Sequence, residues 1–295
     1  MDAFLIAHEG GIRLGYFVAV LALMLAWERA APRRHDRPPR LRQITNIALV
    51  AIDAALLRLL LPAAAVAASV LAQQHGLGLF NAVDLPAAVA FALTMVLLDL
   101  AVWAQHVAMH KVPLLWRLHR VHHSDVAFDV TTGVRFHPAE ILLSMLYKVA
   151  VVVLLGAPAA AVIAFEVMLS VSSLITHGNV RLPAAIDRRI RRLLVTPDMH
   201  RVHHSIHREE TDSNYGFTLS LWDQLFGTLR AQPRDGHAGM RIGLAAFRGA
   251  DEQRLDRLLL QPLRLPRAAI AAPPSPVQPD ARDPATTRSN KAESR

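Results

Sequence analysis

Residues 97–123 read Leu-Leu-Asp-Leu-Ala-Val-Trp-Ala-Gln-His-Val-Ala-Met-His-Lys-Val-Pro-Leu-Leu-Trp-Arg-Leu-His-Arg-Val-His-His. Within this stretch an apolar run ends and five histidines follow, in the patterns HxxxH and HxxHH. A spacing of four places His106 and His110 one turn apart on the same face of a helix. The second pattern occurs twice in the chain, as His119, His122 and His123 and again as His200, His203 and His204.

This repeated pattern indicates a metal site. Positions one, four and five of HxxHH lie on one side of a helix, so three imidazoles can converge there, whereas clustered imidazoles without a metal would repel one another when protonated. The chain has 15 histidines and no cysteine, so a metal must be held by His, Asp or Glu. Eight box histidines exceed what one ion accepts, which predicts two ions. Imidazole suits Fe, Zn, Cu and Ni, and spacing alone does not distinguish between them.

The remaining composition predicts an all-α integral membrane protein. Hydrophobic residues make up 53% of the 295 residues and charged residues 19%, and the apolar residues occur in runs long enough to span a bilayer. The runs cover residues 12–27, 44–71, 85–105 and 141–175, the last interrupted at Gly156-Ala157-Pro158 as in a helical hairpin. We therefore expect about four transmembrane helices and a helical cap that carries the histidine boxes.

Charge sets the expected orientation. The net charge is +8, and the basic residues cluster at the ends of apolar runs, whereas residues 73–84 contain no Lys or Arg. By the positive-inside rule the boxes face the cytoplasm. Positive charge follows the first run instead of preceding it, which favours an uncleaved helix over a signal peptide. High Ala and Arg usage favours a bacterial inner membrane, with the endoplasmic reticulum as the eukaryotic counterpart.

Four segments are expected along the chain. Residues 1–43 form the first membrane helix and a basic loop, residues 44–235 the membrane and histidine-box catalytic domain, residues 236–261 a cytoplasmic segment, and residues 262–295 a disordered tail rich in Pro, Ala, Arg and Ser. Asp53 and Arg58 interrupt the second run, either because its first half is interfacial or because they pair in the protein interior. No basic module with base-stacking aromatics is present, so nucleic acid is not an expected partner.

The boxes and the segments between them resemble the fatty acid hydroxylase/sterol desaturase superfamily of membrane non-haem di-iron enzymes, over roughly residues 40–230. Besides the boxes, the resemblance rests on Asp99 leading into Trp103 and His106, Arg135-Phe-His137-Pro-Ala-Glu140, His177-Gly-Asn179, Asn214-Tyr215-Gly216, and Trp222-Asp223-Gln-Leu-Phe-Gly-Thr228. It implies eight box ligands and a ninth: His106, His110, His119, His122, His123, His200, His203, His204 and His177. For His177 the alternative is a helix-end cap.

Outer-shell or substrate-side roles are expected for a second set of residues. They are Asp99, His137, Glu140, Asp198, Asn214 and Tyr215. Metal-bound imidazoles usually donate their other N–H to a carboxylate or carbonyl, and Asp99, two turns before His106, is the first candidate. His137 could instead be a ligand, the acids near the boxes could be solvated loop residues, and Asn214-Tyr215-Gly216 is either a turn or a lining of the site.

The resemblance implies two iron ions, O2 as co-substrate, and hydroxylation or desaturation of a lipid such as a sterol or fatty acyl chain. The sequence contains no GxGxxG fingerprint for a flavin or nicotinamide, so electrons are expected from a separate reductase, ferredoxin or cytochrome. Arg188, Arg189, Arg191 and Arg192 could dock such a donor or anionic headgroups. A membrane di-zinc hydrolase and a non-catalytic metal-binding membrane protein remain as alternatives. A transporter would place its ligands near the bilayer midplane, whereas these boxes follow the ends of apolar runs.

Overall fold

The protein is helical throughout the part of the chain that its computed structural model describes, which comprises residues 2–36, 39–61, 64–83 and 85–265. Helices, short turns and isolated β-bridges account for its regular structure, and no strand occurs in those ranges. The expected all-α integral membrane fold is therefore confirmed.

The helices follow one another in the order α1 Asp2–Ala30, α2 Arg40–Leu60, α3 Ala64–Gln74, α4 Leu79–Val83, α5 Ala87–Lys111, α6 Pro113–His123, α7 Pro138–Leu155, α8 Ala159–Thr176, α9 Ala184–Ile190, α10 Pro197–His203, α11 Arg208–Thr211, α12 Leu221–Leu225, α13 Gly236–Gly239 and α14 Leu255–Leu260. Short 3-10 turns lie at Val130–Val134, Ala250–Gln253 and Gln261–Leu263.

Among the residues that the structure describes, five stretches are long and apolar enough to cross a membrane. They are α1, the stretch Arg40–Val83 that contains α2 to α4, α5, α7 and α8. This is one more than the four or so expected from the sequence. The difference arises because Gly156 divides the run of residues 141–175 into two helices of 18 residues each, and each of them qualifies as a span by itself.

The hairpin between α7 and α8 forms where the sequence predicted it. Gly156 caps α7 with a left-handed backbone, φ 66°, which glycine adopts without steric cost. The turn packs against Gly78, which also has a positive φ; a Cβ atom at Gly78 would lie 2.2 Å from the backbone nitrogen of Gly156. The two turns thus approach backbone to backbone, which fixes the far end of the hairpin.

The second apolar run differs from expectation. α2 ends at Leu60 and α3 begins at Ala64. Asp53 is buried in the protein, whereas Arg58 on the same helix is exposed. Neither alternative drawn from the sequence therefore describes both residues, because they lie on different faces of α2.

The first two helices hold the loops that surround the site. Glu28 of α1 accepts hydrogen bonds from the backbone N–H groups of Val130 and Asn179, both at 2.7 Å.

At the other end of the described chain, Arg117 donates to the carbonyl of Pro262 at 2.6 Å, and Arg120 donates to that of Arg264 at 2.5 Å. Residues 262–264, expected to begin the tail, therefore pack against α6. Residues 266–295 lie outside the described ranges, and the disordered tail stays a prediction there.

Candidate metal centre

All nine histidines singled out from the sequence converge in two adjacent groups. Within each group one potential ligand atom per residue lies within 4.8 Å of the others, and every one of these side chains is buried. We call the groups cluster A and cluster B. Cluster A contains His106, His110, His119, His123 and His203, and cluster B contains His122, His177, His200 and His204.

Each HxxHH box contributes to both clusters: one box gives two histidines to cluster A and one to cluster B, and the other box gives one to cluster A and two to cluster B. In α6 the first and fifth positions, His119 and His123, join cluster A, while the fourth, His122, joins cluster B. In the box of α10 only the fourth position joins cluster A. The first and fifth positions share a helix face and the fourth is rotated away from it, so α6 and α10 together complete two sites from two copies of one motif.

Prolines bring these helices together. Pro113 occupies the first turn of α6 directly after α5 ends, so the chain turns and the box of α6 folds back onto His106 and His110. The helix α10 begins in a similar way. The side chain of Thr196 accepts a hydrogen bond from the backbone of Met199, and Pro197 follows in the first helical turn.

Five of the imidazoles are oriented by hydrogen bonds of 3.2 Å or less from Nδ1 to oxygens that only accept. The backbone partners are Tyr215 O for His106 at 2.7 Å, Ser213 O for His203 at 2.6 Å, Ser173 O for His177 at 2.7 Å and Arg135 O for His122 at 3.2 Å. The fifth partner is a carboxylate, Oε1 of Glu140, 2.6 Å from Nδ1 of His119. Since a neutral imidazole carries one proton, Nδ1 holds it and Nε2 presents a lone pair.

These lone pairs point at one another. Nε2 of His106 lies 3.0 Å from Nε2 of His119 and 3.1 Å from Nε2 of His203. In cluster B, Nε2 of His177 lies 3.2 Å from Nε2 of His122. Unprotonated nitrogens at this separation repel unless a cation lies between them. Two nitrogens that bind one ion at about 2.1 Å and at right angles are about 3.0 Å apart, so the donor set fits metal ligation.

Burial keeps the imidazoles neutral. It is the largest cause of a lowered pKa at His203, to about 3, and at His177, to about 4. Burial and neighbouring imidazoles also hold the pKa well below the usual value at His122, His123, His200 and His204. At pH 7 these imidazoles are therefore neutral, the form whose unprotonated nitrogen binds a metal.

Several buried nitrogens have no hydrogen-bond partner among the described residues. They are Nε2 of His110, Nδ1 of His200 and both ring nitrogens of His204. A buried polar atom without a partner costs free energy. Bound metal ions would take up one nitrogen from each of these residues, so cluster A and cluster B each fit one ion.

Some of the residues expected to have outer-shell roles bond to a cluster histidine, and others do not. Glu140 accepts from His119, and the carbonyl of Tyr215 accepts from His106. Asp99, the first candidate, does not touch a histidine of either cluster; it accepts from Trp222 at 2.9 Å and from the backbone of Leu219 at 3.3 Å. It lies on the right face of α5 but about 10 Å of helix rise from His106, which is too far for a hydrogen bond.

Three further candidates are structural in this arrangement. His137 lies outside both clusters: it caps α7 by accepting from the backbone of Ala139 and donates to the carbonyl of Leu259. Asp198 pairs with Arg33 and Arg201. Asn214 forms the turn, with a left-handed φ of 51°, and its amide group donates to the carbonyls of Met199 and Arg230.

Two further carboxylates lie near the site. Asp212 is one of the acids flanking the boxes for which the sequence left open an outer-shell or a solvated position, and it lies 3.4 Å from Nδ1 of His110. Asp223 accepts from Trp103 at 3.0 Å and from the backbone of Tyr215 at 3.0 Å, and so fixes the carbonyl that orients His106. The signal for Asp223 was present in the segment after Trp222, but its partners become visible only in the fold.

Aromatic side chains enclose the two clusters. Phe136 stacks on His122 with ring centroids 4.6 Å apart, and Phe217 lies 5.1 Å from His106. Trp116 lies 5.0 Å from His110, and Phe128 5.7 Å from His177. These rings pack against the imidazoles and shield them from solvent.

Replacing Glu140 tests the carboxylate beside His119. Glu140→Gln keeps an oxygen that accepts from Nδ1 but removes the negative charge, and it is expected to weaken metal binding at cluster A about 10–100-fold. Titration with a metal chelator measures this. Glu209→Gln, at an exposed position outside both clusters, is the control. Equal chelator midpoints in the two variants would show that the charge of Glu140 does not contribute.

Comparison with known proteins relates the part of the chain that holds this site to known lipid hydroxylases and monooxygenases. Residues 91–228 match the family model described as fatty acid hydroxylase. Ornithine lipid hydroxylase OlsE of Rhizobium tropici is 32% identical over 162 residues, 53% of this chain and 46% of the relative. Human alkylglycerol monooxygenase is 26% identical over 132 residues (43% and 27%), and rat cholesterol 25-hydroxylase is 26% identical over 144 residues (48% and 47%).

The matched stretch spans less than half the length of each of these three relatives. No solved structure gave a significant match. The matched residues 91–228 include every histidine of clusters A and B. The resemblance to the fatty acid hydroxylase/sterol desaturase superfamily drawn from the histidine boxes is thus confirmed through residues 91–228.

Proposed function

We propose that this protein is a membrane oxidoreductase that holds two iron ions and uses O2 to hydroxylate or desaturate a C–H bond in a lipid. The observation that carries the proposal is the convergence of unprotonated imidazole nitrogens in clusters A and B, whose other nitrogens are largely hydrogen-bonded away from the centre. The match of residues 91–228 to the fatty acid hydroxylase family model supports oxidation over hydrolysis. The nine histidines are the proposed ligands.

When bound, the two ions would supply the reduction of O2 and the oxidation of the C–H bond. The overall hydroxylation consumes O2, two electrons and two protons and yields the alcohol and water. The chain's own residues bind and orient. Glu140 and the carbonyl of Tyr215 fix two imidazoles of cluster A, and Phe136 and Phe217 exclude water from beside the ligands.

The substrate class follows from the relatives and from the position of the site. The names of the relatives specify an ornithine lipid, alkylglycerols and cholesterol, which share a large apolar part and differ in their polar group. In this chain the ligands lie at the ends of α5 and α8, where apolar helices meet a polar cap. We therefore propose a membrane lipid without naming its headgroup.

The two electrons are proposed to come from a separate donor, a reductase, ferredoxin or cytochrome. Trp116 is half-buried and packs on two ligands, His110 and His123. The exposed guanidinium of Arg208 lies over its ring at 4.7 Å, and the exposed Lys111 is nearby, paired with Asp212. This basic surface beside cluster A suits an acidic redox protein, since opposite charge speeds encounter.

We further propose that the clusters face the cytoplasm, in a bacterial inner membrane or the endoplasmic reticulum. The described cap carries Arg-rich segments at the end of each apolar helix that faces the site, as in residues 188–192. Positive charge on loops is typical of the cytoplasmic side.

The proposal is tested on protein purified in mild detergent from iron-replete cells. We expect about two irons per chain, one for each histidine cluster, and loss of that iron in a His122→Ala/His203→Ala variant. Purified protein is then given the host's extracted lipids, reduced ferredoxin with its reductase, and 18O-labelled O2. Hydroxylation would leave 18O in a lipid product, and desaturation would remove two hydrogens without incorporating the label.

Other outcomes would contradict the proposal. Stoichiometric zinc that iron does not replace, with product formed in the absence of O2 and donor, would indicate the di-zinc hydrolase. Well-folded protein that binds no metal would exclude a metal enzyme altogether.

A further inference from the structure

The C-terminal part of the cap packs against α5 inside its membrane span. Trp222 donates to Asp99 at 2.9 Å, and Trp103 donates to Asp223 at 3.0 Å, so two Trp–Asp pairs link the segments. The ring of Phe226 also stacks on that of Trp103, with centroids 4.6 Å apart. Asp99 lies about 18 Å of helix rise before Lys111, the end of α5. The segment around α12 therefore reaches well below the polar end of this helix.

The pairing explains how α5 tolerates Asp99. An ionisable side chain in a membrane helix is costly unless it has partners in the protein interior. Asp99 is 2% exposed and receives N–H groups from Trp222 and from the backbone of Leu219. Those donors must lie at the depth of Asp99, which fixes the depth of the whole segment 219–226.

The outer face of this segment is apolar and uncovered. Leu225 is 70% exposed and Phe226 53%, and Leu221 is also exposed. A second stretch lies beside it: the backbone of Ser220 donates to Leu193 O at 3.0 Å, and Leu194 forms a β-bridge with Leu219. Both Leu193 and Leu194 are exposed. We call Leu193, Leu194, Leu221, Leu225 and Phe226 the apolar patch.

Basic residues border the apolar patch on one side. Arg188, Arg189 and Arg192 are exposed and belong to α9 and the turn that follows it, directly before Leu193. An apolar surface with arginines at its border is the arrangement of an interfacial membrane anchor. The charge selects an anionic lipid surface.

We infer that residues 219–229, with residues 193–194, insert into the bilayer leaflet on the side of the metal clusters. Leu225 and Phe226 lie among the acyl chains, and Arg188, Arg189 and Arg192 contact the headgroups of anionic phospholipids. In this arrangement the helical cap that carries the histidine boxes is partly embedded in the membrane. Because α10 directly follows residues 193–194, this anchor ties the histidines of α10 to the leaflet.

The chain contains no cysteine, so single-cysteine nitroxide labelling tests the inference directly. Leu225→Cys is labelled in vesicles of phosphatidylcholine and phosphatidylglycerol, and its collisions with O2 and with a water-soluble nickel complex are compared. Val96→Cys, exposed on α5, gives the lipid reference, and Glu209→Cys, exposed on α11, gives the aqueous one. Circular dichroism and size-exclusion elution like those of the unlabelled protein show that each labelled protein is folded, so the result does not depend on the proposed function.

We expect the label at Leu225 to match Val96, with an O2-to-nickel collision ratio severalfold above that at Glu209. Spin-labelled phosphatidylglycerol should be preferred over spin-labelled phosphatidylcholine at the protein surface, and Arg188→Gln/Arg189→Gln/Arg192→Gln should reduce that preference. A label at Leu225 as accessible to nickel as the one at Glu209 would overturn the inference. So would a label that neither reagent reaches and that shows spin–spin broadening, which would indicate a second copy of the chain on the patch.

Discussion

A His177→Ala variant is expected to retain about one iron per chain and to lose at least about 100-fold of its activity, since small changes in the geometry of a reacting centre cost that much. Nε2 of His177 lies 3.0 Å from that of His200 and 3.2 Å from that of His122. Its Nδ1 donates to Ser173 O, so the lone pair of Nε2 is fixed toward cluster B. Removing it leaves three imidazoles there, while all five of cluster A remain.

Metal analysis of the purified variant measures the loss, and His207→Ala is the matched control. His207 follows the box of α10 but lies outside both clusters and pairs with Asp235 at 2.7 Å, so its removal should leave two irons. If His177→Ala also keeps two irons, bound as tightly as before, then His177 only caps α8. That was the alternative drawn from the sequence, and the proposed ligand set would be reduced to the eight box histidines.

The apolar runs predicted most of the helices, and the spacing of the histidine boxes predicted most of the candidate metal ligands. A run of about 18 apolar residues has little alternative to a helix, so α1, α5, α7 and α8 could be read directly. In each HxxHH box the second and third histidines follow the first by three and four residues, which places three imidazoles on one side of the helix. His177 has no such spacing, and only the resemblance indicated it.

What remained hidden depends on how helices dock. Box spacing cannot reveal that His122 belongs to cluster B while its neighbour His123 belongs to cluster A, because that division follows from the packing of α6 against α10. The acceptors for His106, His203, His177 and His122 are backbone carbonyls, which every residue has and no sequence pattern marks. Asp99 was assigned to the wrong partner for the same reason: periodicity gives the face of a helix, and tertiary contacts decide which side chains meet.

The buried ion network at the start of α2 is a second feature that sequence reasoning missed. Arg42 is fully buried and pairs with Asp125 and, at 2.7 Å, with Asp129. It also donates to Thr132 at 2.9 Å. The three partners flank or belong to the 3-10 turn Val130–Val134, which leads to the carbonyl of Arg135. That carbonyl orients His122, so the network connects α2 to cluster B.

Arg42→Met is therefore expected to lower the free energy of unfolding by about 3–5 kcal/mol, the usual cost of removing one partner from a buried ion pair. The cost arises because Asp125 and Asp129 stay buried without their cation. Denaturant unfolding of the detergent-solubilised protein measures it. Arg254→Met is the control: Arg254 pairs with Asp256 at 3.0 Å, and both side chains are more than half exposed, so its loss of stability should be much smaller than that of Arg42→Met, because solvent screens exposed ion pairs.

A double variant separates the missing cation from the missing packing. Arg42→Met/Asp125→Asn removes one of the two uncompensated charges, while Asp129 keeps its bonds to Gln43 and Thr131. It should therefore be more stable than Arg42→Met alone. If the double variant is instead less stable, then Asp125 stabilises the loop mainly through Asn46 and Thr132, to which it is also bonded. The link from α2 to His122 would then depend on the bonds of Asp125 to Asn46 and Thr132 as well as on Arg42.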